Sequence, residues 1–168
     1  AKPYFRVNNR NAQDSNYFIT GNTMLKLSDI PKQIVSFNYE YGITGGEDHQ
    51  FFSAIKMQGY RLLSASTSIV YEFIPPERAN LIWIIKRVFR TGNSYTRTLI
   101  KNTEKYHDRF LIRIEQLFVG VIQFLIAIIL SFGFLLVNKI KSFNWFLKAA
   151  SNFGKPFAVL GVHPKEYK

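Results

Sequence analysis

Between Gln116 and Asn138 lie twenty-one consecutive residues, Leu117 to Val137, with no charged side chain. As a helix rising ~1.5 Å per residue, such a run is ~31 Å long, which matches the hydrocarbon thickness of a bilayer. The alternative, a helix buried on all sides in a soluble core, needs more surrounding protein than 168 residues supply. The run lies too far from the N-terminus for a signal peptide, so the chain is expected to meet a membrane. Its orientation is open, because Arg109 and Arg113 precede the run and Lys139, Lys141 and Lys148 follow it. Two arrangements fit: a re-entrant or interfacial hairpin, broken near Gly133, whose ends return to the cytoplasmic face, and a simple span with its C-terminal tail outside.

Charge sharpens this reading. Residues 1–85 hold eight Lys/Arg against seven Asp/Glu, whereas residues 86–168 hold fourteen against four. A basic half that also contains the apolar run points to an anionic partner, either phosphates or a lipid surface. With 47% hydrophobic residues the chain is not disordered, and with no cysteine it is neither a disulfide-stapled nor a zinc-thiolate fold. Zero cysteine fits a reducing compartment. The first residue is Ala1 rather than Met, and the first forty residues mix Asn-rich turns with short apolar runs. Together these suggest part of a longer protein.

Along the chain, residues 16–27 alternate around Gly21-Asn22 and predict strand, turn and strand. Ser28 to Pro31 predicts a short helix or turn. Thr44-Gly45-Gly46-Glu47 leads into a helix with Phe51, Phe52 and Ile55 on its inner face, ending at Gly59. Residues 60–64 and 68–73 predict strands. Pro75-Pro76-Glu77 starts a second helix, with Leu81, Ile84, Ile85 and Val88 facing inward, that stops or kinks at Gly92-Asn93.

Three groups of residues carry possible chemistry. Thr44 and Glu47 have the spacing of a capping box, and Glu47 and Asp48 suit the positive end of a helix. Gly45 and Gly46 would let the backbone approach a ligand closely and bring both carboxylates to a loop-to-helix junction. Arg87, Arg90, Ser94, Arg97, Lys101 and Lys105 share one face if the helix resumes beyond Asn93. They fit lipid head groups, and Arg87 and Arg90 also suit bidentate phosphate contacts. Glu72 ends an apolar strand and either lines a site or sits at a sheet edge. His49, His107 and His163 show no ligand spacing.

These elements, taken in order, resemble the C-terminal half of family 2 glycosyltransferases, especially the bacterial succinoglycan-type enzymes of exopolysaccharide synthesis. The residues concerned are Gly21-Asn22, Phe37, Thr44 to Phe52, Gly59-Tyr60-Arg61, Val70-Tyr71-Glu72, Pro75 to Arg78, Trp83, Arg87 to Ser94, Asn152 to Lys155 and Gly161 to Tyr167.

The resemblance implies a GT-A fold, an α/β Rossmann-like sheet domain that takes a nucleotide-sugar donor and inverts the sugar onto a saccharide or lipid-linked acceptor. It implies Asp48 as the general base, with Glu47 orienting the acceptor or supporting Asp48. Arg87 and Arg90 would stabilise the departing diphosphate. Gly21, Asn22, Gly45 and Gly46 would border the substrates, and Glu72 would lie near a divalent metal, Mg2+ or Mn2+. The implied organisation places the catalytic half-domain at 1–98, a basic connecting helix at 99–115, a transmembrane or re-entrant helix at 116–138 and an amphipathic basic tail at 139–168, with the catalytic part on the cytoplasmic face of the cell membrane. The family's metal-binding Asp-x-Asp is absent from this sequence. The chain alone is therefore expected to bind UDP-sugar more weakly than about 10 μM and not to transfer sugar. Two other classes compete: a non-catalytic membrane adaptor that binds anionic lipid, and a nucleic-acid binder. The apolar run disfavours the second, and no nucleic-acid partner is expected.

Overall fold

The computed structural model describes residues 13–14, 20–30, 36–64 and 69–165. The readings placed on residues 16–19 and 68, on Pro31 and on Glu166 and Tyr167 lie outside them.

The described residues form four α-helices: α1 (Glu47–Met57), α2 (Leu81–Asn102), α3 (Tyr106–Phe134) and α4 (Lys139–Val159). Their β-structure is one two-residue antiparallel ladder, β1 (Gln13–Asp14) with β2 (Leu63–Ser64). This overturns the expected α/β Rossmann-like domain. Residues 20–22 form a 3-10 turn rather than the expected hairpin, and residues 69–73 form no strand. The physical reason is visible at Ile69, Val70, Tyr71 and Phe73, all exposed. Alternation makes a strand only where a neighbour takes its backbone N–H and C=O groups, and two-residue pairing falls short of that.

α1 buries Phe51, Phe52 and Ile55 against Ile30, with Leu25, Tyr60 and Leu62 closing the cluster, so its predicted inner face holds. The ring of Phe37 meets that of Phe51 at 4.7 Å. Beyond the helix, Gly59 turns the chain at φ +85°.

Pro76–Arg78 form a 3-10 turn, and Asn80 then caps α2, its Oδ1 accepting from the Trp83 N–H at 2.9 Å. α2 runs unbroken through Gly92 and Asn93, contrary to the expected stop or kink. Of the predicted inner face, Ile84, Ile85 and Val88 are only half-buried and Leu81 is exposed. Arg90, Gly92, Asn93, Ser94, Thr96, Thr98 and Ile100 are buried instead. Gly92 serves close approach: a Cβ there would stand 1.8 Å from the Ser151 carbonyl oxygen of α4. Gly154 of α4 reciprocates, since its Cβ would stand 2.1 Å from the Phe89 carbonyl oxygen. The two backbones touch where neither has a side chain to hold them apart.

α3 passes through Gly133 without a break, and Leu135–Val137 turn the chain into α4, which is capped by Asn138 accepting from the Lys141 N–H at 2.9 Å. α3 and α4 thus form an antiparallel hairpin. Ser131 and Ser142 fasten it reciprocally, each hydroxyl donating to the other's backbone carbonyl, at 3.0 and 2.8 Å. Ala127 and Ala149 are buried, and nearer the base a Cβ on Gly120 would meet Pro156 Cδ at 2.9 Å. Small residues and paired hydroxyls are how helices associate where no hydrophobic drive joins them. α3 is long and apolar enough to cross a membrane, and only 11% of its most apolar window is buried within the protein.

Candidate functional site

The loop before α1 is shaped by two left-handed glycines, Gly45 at φ +75° and Gly46 at φ +91°. Gly46 itself is the N-cap of α1, with no side-chain cap. The predicted capping box is therefore not formed. Thr44 Oγ1 instead accepts from Arg97 Nη1 at 3.0 Å. Both glycines lie against Ser94, whose Oγ donates to the Gly45 carbonyl at 3.2 Å, and a Cβ on Gly46 would lie 2.5 Å from Ser94 Cβ. Their close approach is to α2.

Tyr41 locks this junction. It is fully buried, its hydroxyl lies 3.4 Å from Thr98 Oγ1, and the Arg97 guanidinium stacks 4.1 Å over its ring. Burial pushes its phenol up, against the smaller opposing pulls of Thr98 and Arg97. Arg97 and Lys101 both pair with Glu40. These two members of the predicted basic face are thus bound within the protein, and Lys105 stands outside α2 as the N-cap of α3.

Asp48 faces the other way. Its Oδ1 accepts from the Thr20 hydroxyl at 2.8 Å and its Oδ2 from the Thr20 N–H at 3.3 Å. The Thr20–Asn22 turn therefore lies beside Asp48, which brings Gly21 and Asn22 to the start of α1. Around the same helical turns, Glu47 Oε2, His49 Nδ1 and Gln50 Oε1 are buried with no hydrogen-bond partner among the described residues. Burial lowers the His49 pKa, so the ring is held neutral and can accept. The His49 ring meets that of Tyr95 edge-on at 5.6 Å. Buried oxygens and a ring nitrogen without donors match a ligand that supplies several hydroxyl or amide protons.

Arg90 is buried on α2, one turn before Ser94. Arg87 is exposed and stacks 5.0 Å over Trp83, with Arg78 on the same ring at 5.9 Å. Glu72 is exposed on the irregular stretch 69–75. Among the described residues no three of His, Cys, Asp and Glu gather as metal ligands, so Glu72 has no second and third donor there. These residues do not fit a divalent metal, and no step below runs through one.

Asn93, expected only as part of a stop or kink, ties two distant segments together. Its amide donates to the Gly154 and Val162 carbonyls at 3.2 and 2.9 Å, and its Oδ1 lies 2.9 Å from His163 Nδ1. The tail after α4 is thereby tied to the middle of α2. A polar Gly-Asn-Ser run inside a helical pattern was the available signal, and it marks close packing rather than a break.

Over 71 residues the chain is 37% identical to the succinoglycan biosynthesis protein ExoM of Rhizobium meliloti (strain 1021). That match covers 42% of this chain and 22% of the relative, so the likeness extends over a minor part of a longer protein. No family model matches the chain, and no solved structure matches it.

Proposed function

We propose that the chain is the acceptor-side, membrane-associated part of an inverting family 2 glycosyltransferase of exopolysaccharide or cell-surface polysaccharide synthesis. One observation carries the reading: the acceptors of Glu47, His49 and Gln50, buried without a hydrogen-bond partner among the described residues, beside an anchored Asp48. A saccharide acceptor would satisfy them with its hydroxyls. The likeness to a succinoglycan biosynthesis protein supports the same reading.

In this proposal Asp48 takes the proton of the acceptor hydroxyl as that oxygen attacks the anomeric carbon of a nucleotide-sugar. The bond to the nucleotide diphosphate breaks, and the electron pair leaves with the diphosphate. Thr20 occupies one direction at each carboxylate oxygen. A carboxylate has about four acceptor directions, so the base keeps room for a proton. Glu47 and Gln50 orient the acceptor. Arg90 and Arg87 face the charge that develops on the leaving group, Gly21 and Asn22 border the substrates, and the hairpin holds the site at the cytoplasmic face of the membrane.

The test is Asp48→Asn in the full-length protein, assayed with labelled nucleotide-sugars and acceptor lipid from the same cells. Loss of a general base should lower the rate about 10²–10⁴-fold. The clasp between Asp48 and Thr20 favours a second reading, in which Asp48 is purely structural and the chain is a membrane adaptor. Transfer at the unmutated rate, with stability down by about 1 kcal/mol or less, would remove Asp48 as the base and leave it the structural role of that reading.

A further inference from the structure

Along α4, Lys141, Lys148 and Lys155 recur every seven residues and stand on one stripe with Asn144 and Asn152. Phe143, Phe146 and Phe153 stand on the other side of the helix and are exposed. α3 has no such stripe, since from Leu117 to Phe134 its only side chains able to hydrogen-bond are Gln123 and Ser131. Its outer side, including Phe118, Ile122, Leu125, Ile129 and Phe132, is exposed and apolar. From Gln116 to Lys165 the sequence has five lysines and no Asp or Glu.

We infer that α3–α4 is a monotopic hairpin. It lies within one leaflet, the α4 lysine stripe at the headgroup layer and α3 sunk among the acyl chains, with the α1–α2 site and the C-terminal tail on the same side of the membrane. The inference rests on the membrane part of the proposed function and not on sugar transfer.

Three observations favour this arrangement. The tail cannot lie across the membrane from α2, because Asn93 bonds Val162 and meets His163, and Gly92 and Gly154 bring α2 and α4 into contact. A hairpin crossing the whole bilayer would set Lys139 in the far headgroups and Lys148, nine residues on and ~14 Å along the helix, near mid-depth, where a lysine is disfavoured by about 2.5–3.5 kcal/mol. Within one leaflet, Lys141 and Lys148 stay at the headgroup layer, while Lys155 is held inside the hairpin, donating to Gln123 Oε1 of α3 at 2.7 Å. An amphipathic helix with lysines on one side and Phe on the other is the form that settles at the interface.

The test uses the absence of cysteine from this chain. In the full-length protein, with any other cysteines replaced, single Lys86→Cys, Leu136→Cys, Lys148→Cys and Lys165→Cys variants are exposed to a membrane-impermeant maleimide in sealed vesicles of both orientations. All four positions are exposed on the protein, so folding should survive. The expected result is reaction at positions 86, 148 and 165 from one common side, and at 136 from neither side until detergent is added. Reaction at 136 from the opposite side would mean a crossing hairpin. Reaction at 136 from the same side would mean a hairpin clear of the lipid, and positions 86 and 165 reacting from opposite sides would mean a single span. Each of these overturns the inference. Release of the protein by alkaline carbonate would remove the membrane reading itself, whereas absent sugar transfer would leave the labelling pattern unchanged.

Discussion

Gly92 and Gly133 are both helical glycines, yet substitution should move them in opposite directions. A Cβ on Gly92 would sit 1.8 Å from a carbonyl oxygen, which neither rotamer change nor a flexible neighbour can relieve. Gly92→Ala should destabilise by about 1–3 kcal/mol through forced separation of α2 and α4. At Gly133 nothing lies within 4 Å, so Gly133→Ala should leave stability unchanged or raise it by up to about 1 kcal/mol, the ordinary helix preference. Thermal unfolding in detergent compares the two. Asn93→Leu should cost about 1–3 kcal/mol, since two carbonyls lose an amide donor in a buried place.

At the scale of elements, how much could be read from the sequence depended on where each element finds its partner. α1 was legible because its contacts are local and apolar: Phe51, Phe52 and Ile55 step round one face and Gly59 ends the turn. The apolar run was legible because a bilayer-length stretch needs no tertiary information. α2 misled, because its buried side is polar and small, and its partners are a loop about fifty residues earlier and a helix about sixty later, as in the bonds of Ser94 to Gly45 and Asn93 to Gly154. At 69–73 the predicted strand misled for the converse reason, a local pattern without neighbours, whereas Leu63–Ser64 of the strand predicted at 60–64 does pair, with Gln13–Asp14. In the candidate site, Glu47 and Asp48 could be picked out from residue type, but the anchoring of Asp48 by Thr20 could not. One further expectation belongs here: Asn80→Ala removes the cap of α2 and should lower stability by about 1 kcal/mol, measured by denaturant titration in mild detergent.

For the whole molecule, acid should loosen the joint between tail and α2. Burial lowers the pKa of His163, with Arg97 and then Lys101 adding to the effect, and burial lowers that of His49. The unfolded chain then takes up protons first. The stability of the neutral folded form is complete above the ordinary histidine value of about 6.5 and is lost as pH falls through the lower folded values. The unfolding temperature should therefore decline between pH 7 and pH 5, and His163→Gln should flatten the slope. The tie between Asn93 and residues 162 and 163 also fixes an order of events during synthesis. When α2 leaves the ribosome, its buried amide still lacks the carbonyls it will bond, and the whole hairpin must be made and settled before they arrive. Deleting residues 160–165 would thus harm the middle of a helix finished some sixty residues earlier, and a nascent chain stalled before that point would offer chaperones an open polar notch.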